Sequence, residues 1–253
     1  MTHNPPKQDW ITELVSALAP GDHAVFDADG TLWSGDVGEA FHEALVAEGV
    51  LAPATLVEYA RLHALDLVAA YAYGTRVLSG LEVPWLRARA AAFFEAEFAG
   101  RVFPEMRALL AALAVAGVTP WIASASYRAL VDPGARALGI PEARVFAMTL
   151  HEEGGRTTDE LALPLVTHEG KAEVLRARFA PLPALVAGNS VNDLPMLRLA
   201  RKAALVVNAT PGRDPTTGDD LVAETTTRGW LARVLIAPAA GTRGSGWSDT
   251  STP

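Results

Sequence analysis

The residues best equipped for chemistry lie in His23-Ala24-Val25-Phe26-Asp27-Ala28-Asp29-Gly30-Thr31-Leu32-Trp33-Ser34. An apolar run ends there in two aspartates spaced by one residue, followed by Gly-Thr. A short apolar run before a turn signal reads as a buried strand. Both acids then fall at its carboxyl end, where open α/β sheets bind ligands. Two carboxylates this close are costly to bury unless one takes a proton or a cation is recruited. The pattern fits a carboxylate nucleophile beside a metal. Asp-x-Asp-Gly is also ordinary turn chemistry, so the rest of the chain has to decide.

Three further clusters stand in order behind it. Ile122-Ala123-Ser124-Ala125-Ser126 is a strand ending in hydroxyls before a helix. Gly170-Lys171 opens a helix. Val186-Ala187-Gly188-Asn189-Ser190-Val191-Asn192-Asp193-Leu194-Pro195-Met196-Leu197 is a strand, a turn and another helix start. Singly, these have bland readings. Either serine can be an N-cap, a Gly-Lys is usually a solvated surface lysine, and Asn192 and Asp193 suit the cap of a helix beginning near Pro195. Together, all four lie where a strand ends or a helix begins, so a doubly wound sheet can gather them at one edge.

In that order and spacing the clusters resemble the four motifs of the haloacid dehalogenase superfamily, most closely its phosphoserine phosphatase-like branch. The likeness covers roughly residues 22 to 210. It implies a Rossmann-like α/β core with a helical cap inserted after the first strand, and Mg²⁺-dependent hydrolysis of a small phosphomonoester. By this likeness Asp27 attacks phosphorus and Asp29 serves as general acid and then base. Thr31, Ser124, Lys171 and Asn192 are the implied phosphate-binding residues, with Ser126 the better candidate for a helix cap. Asp27, Asp29 (through its main-chain carbonyl), Asn189 and Asp193 are the implied metal site. Asn189 departs from the family pattern, which has aspartate there, and a carboxamide brings no charge. Asp36, Glu39 and Arg76 are possible substrate contacts from the cap, each equally readable as a solvated helix face. Trp33, Tyr71, Tyr73 and Trp85 suit the core better than an aromatic wall. Dehalogenation would use the same nucleophile but usually lacks the second acid, so Asp29 weighs against it. Phosphoryl transfer to another alcohol, or a phospho-ligand binding module without chemistry, are the alternatives.

The elements that must position these groups follow from periodicity and punctuation. Helix is expected at 10–18, strand at 24–27, and a helical run over 36–100 containing 39–48, 53–67, 71–81 and 84–98. Pro104 opens and Gly117 closes a further helix. A strand at 118–123, a helix at 128–138 bent at Pro133, and a hairpin of 144–150 with 156–161 around Gly154-Gly155 come next. A helix at 170–179 precedes strands at 185–187 and 204–207, which a helix at 194–201 separates. Such alternation implies a parallel sheet with helices on both faces. The expected division is a core of 9–35 and 101–237, a cap of 36–100, and disordered tails at 1–8 and 238–253.

The 253 residues, half of them hydrophobic, suffice for a full core and exclude a disordered chain. A net charge of −8 argues against a nucleic-acid or anionic-membrane surface. The absence of cysteine excludes disulfides, thiolate catalysis and Cys-ligated zinc. The longest apolar run, 108–118, is too short to span a bilayer. A soluble, cytoplasmic monomer or homodimer acting on a small phosphorylated metabolite is the resulting expectation.

Overall fold

A computed structural model describes residues 9–238, with Asp9 placed in its backbone only; the tails expected at 1–8 and 238–253 therefore lie, Pro238 apart, outside the described residues. In chain order the strands are β1 (His23–Phe26), β2 (Thr119–Tyr127), β3 (Val145–Met148), β4 (Leu150–Glu153), β5 (Arg156–Leu161), β6 (Leu185–Gly188), β7 (Ala203–Val207) and β8 (Leu231–Arg233). The helices are α1 (Asp9–Ser16), α2 (Val37–Ala47), α3 (Ala54–His63), α4 (Leu67–Arg76), α5 (Val83–Phe93), α6 (Pro104–Val115), α7 (Arg128–Ala137), α8 (Glu169–Arg178), α9 (Leu194–Leu197) and α10 (Leu221–Arg228).

Six strands form one sheet in the order β3-β2-β1-β6-β7-β8, every neighbouring pair parallel. Successive strand residues face opposite sides, and the burial splits accordingly. Ala24, Phe26, Ile122 and Leu185 join the apolar cluster under α1, α6 and α7. Val25, Trp121, Ala123 and Val186 join a second cluster under α8, α9 and α10. This is the doubly wound α/β arrangement the alternating pattern implies. From β1 the chain runs outward through β2 and β3, then returns to β6 and runs the other way. The order therefore reverses between β1 and β6, the switch point at which such sheets bind ligands.

Between β1 and α6 the chain is helical. Ser34 N donates to Arg101 O at 3.0 Å and Phe103 N to Leu32 O at 3.1 Å, which fastens the two ends of this helical run side by side. The run has no core of its own: Phe41, Leu45, Phe93, Phe94 and Phe98 belong to the same cluster as Phe26 and Ile122. No helix among the described residues is long and apolar enough to cross a membrane.

Several expected boundaries move. The helix expected at 53–67 stops at His63, because Asp66 caps a new one by accepting from Ala69 N at 3.0 Å. That helix, α4, ends at Arg76 instead of 81. The strand expected at 118–123 continues to Tyr127. Residues 144–150 do not pair with 156–161 as one hairpin arm: Val145–Met148 joins the large sheet beside β2, and only β4 pairs with β5. The helix expected at 194–201 closes at Leu197. Two elements past the last motif, α10 and β8, have sequences too short and polar to be picked out by periodicity.

Candidate active site

Asp27 is the first residue beyond β1, and its N–H donates to Ala187 O of β6 at 2.9 Å, so it stands at the switch point itself. The carboxylate is nearly buried, and each of its oxygens accepts one hydrogen bond. Lys171 Nζ donates to its Oδ1 at 2.6 Å, and Thr31 Oγ1 donates to its Oδ2 at 3.1 Å. Lys171, equally buried, donates also to Asp193 Oδ1 at 2.7 Å. Gly170, one residue before it, packs against the loop that leads into the helix: a Cβ there would lie 1.7 Å from Leu165 O. Asp193 has no spare acceptor facing the cavity, since its Oδ2 accepts from Asn189 N, Ser190 N and Ser190 Oγ. It is not among the cavity-lining residues, and it holds the lysine and the turn after β6.

Asp29 is held by three donors. Trp33 Nε1 and Val37 N donate to Oδ1, both at 2.8 Å, and Ser126 Oγ donates to Oδ2 at 2.7 Å. Ser126 reaches it through an irregularity in β2. Ser124 pairs with Ala147 and Tyr127 with Met148, so the intervening residues have no partners on β3 and the strand is displaced there. Ser126 does not cap α7, as its sequence position suggests; the cap residue is Tyr127, with no side-chain bond. Ser124 is wholly buried, accepts from Ser126 N at 3.1 Å and does not line the cavity.

Asp27, Asp29, Ser126, Asn189 and Asn192 line a cavity of about 690 Å³. Asp36, Glu39 and Tyr71 from the helical run line it too. Arg76 does not: its Nε donates to Asp159 O of β5 at 3.3 Å, outside the cavity. Asn192 lines the cavity but spends its Oδ1 on Thr167 Oγ1 and His168 N, each at 2.7 Å, which ties the start of α8 to the turn after β6. Sequence reasoning missed Trp33 as a donor, although its place four residues after Asp29 within one tight loop was the available signal. It also missed Arg213, which lines the cavity from a loop after β7 that carries no motif.

Charge explains the titration. Burial, then Asp193, push the Asp27 carboxyl up to about 7, against the pull of Lys171. Burial likewise raises Asp29, opposed by its three donors. Burial raises Asp36 well above the carboxylate range, and the charges of Asp29 and Glu39 add to this. Burial works against the ammonium of Lys171, but Asp193 and Asp27 outweigh it and keep it protonated. Two buried carboxylates, Asp27 and Asp193, thus share one lysine, with the half-buried Asp29 and Asp36 nearby, a deficit of positive charge.

No group of three or more His, Cys, Asp or Glu side chains with metal-binding geometry occurs among the described residues. The donors that do face the cavity are nevertheless hard oxygens. They belong to Asp27 and to Asn189, whose carboxamide makes no hydrogen bond among the described residues and packs on Gly30; the main-chain carbonyl of Asp29, another lining residue, accepts no backbone bond. Gly30, at φ +73°, is required twice, for its left-handed backbone and because a Cβ would lie 2.0 Å from the Asn189 amide. One carboxylate with neutral oxygens and an uncompensated negative charge suits a small hard cation that keeps several waters.

Comparisons with known proteins agree with this geometry. A family model of haloacid dehalogenase-like hydrolases matches residues 24–198. A probable phosphatase of Mycobacterium tuberculosis (strain H37Rv) is 28% identical over 231 residues, which span 86% of this chain and 76% of that protein. A protein of unknown function from Bordetella pertussis Tohama I has the same fold, with TM-score 0.70 at 19% identity over 85% of this chain and 98% of that one. A phospho-aspartyl intermediate analogue of phosphoserine phosphatase superposes with TM-score 0.55 at 16% identity, covering 83% of this chain and 99% of the other.

Proposed function

The chain belongs to the haloacid dehalogenase-like hydrolase family, and from that premise we propose that it is a Mg²⁺-dependent phosphatase of a small phosphomonoester, working through an aspartyl-phosphate on Asp27. The observation that carries this reading is the floor of the cavity: a buried carboxylate clamped by Lys171 and Thr31, with a second, donor-held carboxyl at Asp29.

An oxygen of Asp27 attacks phosphorus, and the bond from phosphorus to the leaving alcohol breaks. Asp29, whose carboxyl burial holds above the ordinary range, gives a proton to the departing oxygen. Water then attacks the acyl phosphate while Asp29 takes a proton from it, the bond between phosphorus and Asp27 breaks, and inorganic phosphate leaves. Lys171 places fixed positive charge where the phosphoryl oxygens gather. Ser126 holds Asp29 at the cavity wall, with Ser124 supporting the displaced strand beneath it. Thr31 orients Asp27, and Asn192 keeps α8, hence Lys171, in register. Asp27, the Asp29 carbonyl and Asn189 would hold Mg²⁺, which when bound neutralises the repulsion between the attacking carboxylate and the phosphate dianion. Residues 36–100 act as a cap, closing with Asp36 and Glu39 toward the leaving group and excluding water during the first step. The net charge of −8 favours small substrates over anionic polymers.

Turnover of p-nitrophenyl phosphate with Mg²⁺, compared between wild type and Asp27→Asn, tests the reading. Asp27→Asn is expected to lose activity by at least about 10³-fold, since covalent catalysis loses its nucleophile. Activity near the wild-type level in that variant refutes the mechanism.

A further inference from the structure

A second pocket opens at the opposite end of the sheet and shares no lining residue with the cavity of Asp27. Asp27 follows the last residue of β1, whereas His23 is its first. His23 lines this pocket of about 150 Å³ together with Asp22, Arg178, Ala180 and Arg201. The space admits one small ion and its waters; organic ligands of drug size need roughly 300 Å³ or more.

Its donors are largely unspent. Trp121 Nε1 donates to His23 Nδ1 at 3.2 Å. An indole nitrogen only donates, so the imidazole proton sits on Nε2, where it has no partner among the described residues. Arg178 makes no hydrogen bond or ion pair among the described residues; its guanidinium lies 4.6 Å over the Trp121 ring and 5.7 Å from the Phe179 ring. Stacking occupies the face of the guanidinium and leaves its N–H edge open. Arg201 spends Nε on Leu182 O and one terminal nitrogen on Asp22 Oδ1, which leaves further N–H groups of its five. The main-chain N–H of Ala180 makes no backbone bond. Asp22 is the only carboxylate among the lining residues, and it is taken up by Arg201 and Lys202 at 2.9 and 2.8 Å. Two arginines and a lysine thus meet one acid, a local excess of positive charge on a chain of net charge −8. Burial, with the charges of Arg178 and Arg144, holds His23 below the ordinary histidine range against the pull of Asp22, so the ring stays neutral.

We propose that this pocket is a second anion site, which binds a small tetrahedral oxyanion such as inorganic phosphate between Arg178, Arg201 and the Nε2–H of His23. A tetrahedral ion offers acceptors on every side to donors that come from β1, the end of α8 and the residues before β7, and a dianion gains most from two guanidiniums. The aromatic floor of Trp121 and Phe179 holds Arg178 in place beforehand, which lowers the ordering cost of binding. The site stands independently of the reaction at Asp27.

The test titrates the full-length protein with sodium phosphate, and separately with sodium chloride of equal ionic strength, while the indole N–H resonance of Trp121 is followed by NMR. Trp121→Phe assigns that resonance, and its bond to His23 makes it a local reporter. Phosphate is expected to shift it saturably, with half-saturation on the order of 1 mM, and chloride is expected to leave it in place. Arg178→Gln should raise the half-saturating phosphate by about tenfold or more, the scale of a charge-assisted contact, and Arg178→Lys by less. Arg87→Gln removes an equal charge from an exposed ion pair elsewhere and should change nothing. Equal melting temperatures of wild type and Arg178→Gln without phosphate exclude a folding defect. A chloride shift equal to that of phosphate, no saturation by about 50 mM, or equal weakening in Arg178→Gln and Arg87→Gln overturns the proposal. So does a phosphate shift that Arg178→Gln leaves unchanged, which would report binding at the cavity of Asp27.

Discussion

Asp27 sits among more negative charge than Lys171 neutralises, and that imbalance has a measurable cost. In metal-free protein burial and Asp193 hold its pKa near 7, up from 3.8. Between those values the folded form keeps a proton that the unfolded chain releases. Folding stability from this group is therefore greatest below pH 4 and falls as pH rises toward 7, by up to roughly 4 kcal/mol. Asp27→Asn removes the charge and leaves Lys171 paired with Asp193. Its melting temperature in EDTA should exceed wild type at pH 8 and converge with it at pH 5; parallel curves across that range would refute the account. A carboxylate that destabilises the fold where it must react is a common trade between stability and activity. Asn189 belongs to the same balance. Asn189→Asp adds a charged oxygen donor, so half-saturating Mg²⁺ should drop by about tenfold, the scale of one added ionic contact. An unchanged titration midpoint would show that the carboxamide is not a ligand.

At the scale of elements, the displaced segment of β2 and the loop after β1 act together. The displacement turns Ser126 toward Asp29, and the tight loop returns Trp33 to the same carboxylate from the other side. Both donors favour the ionised form. Removing either should raise the pKa of Asp29, so the pH–rate limb that reports it moves to higher pH in Ser126→Ala and in Trp33→Phe. A tenfold loss in kcat with little change in KM is expected alongside, because the bonds fix a reacting group and not the substrate. A loss of activity with an unshifted limb would mean that the two residues serve the fold alone. Of these partners, Ser126 was legible as a polar residue at a strand end, but not its target. Displacement of the strand depends on pairing with Ala147 and Met148, far along the chain.

At the scale of the molecule, the helical run and the sheet share one apolar cluster. Trp33 meets Phe94 edge-on at 5.1 Å between ring centres, and both belong to the same cluster as Phe26. A helical unit with its own core would melt separately; this one should not. Phe94→Ala should lower stability by about 3–5 kcal/mol, the usual cost of emptying an aromatic site. It should do so within one transition, with near- and far-ultraviolet dichroism coinciding. Two resolved transitions would show that the run folds alone. Shared packing also fixes where the run meets the cavity: α2 and α4 bring Asp36 and Tyr71 to its wall, while Phe93 and Phe94 are buried in the core.

Local pattern alone marked Asp27, Asp29 and Lys171 as candidate reacting groups and set the alternation of strand and helix. Apolar runs that end in Asp27 and Gly188, and a Gly-Lys pair at a helix start, are features of neighbouring residues. Only the tertiary structure decided which side chains enter the cavity. Ser126 enters and Ser124 does not, Arg213 enters and Arg76 does not, and Asp193 spends its oxygens on Lys171 and the turn after β6. The physical reason is that direction in an irregular segment is set by partners remote in sequence, through strand register, loop bracing and competition for hydrogen bonds, none of which leaves a periodic trace in the chain.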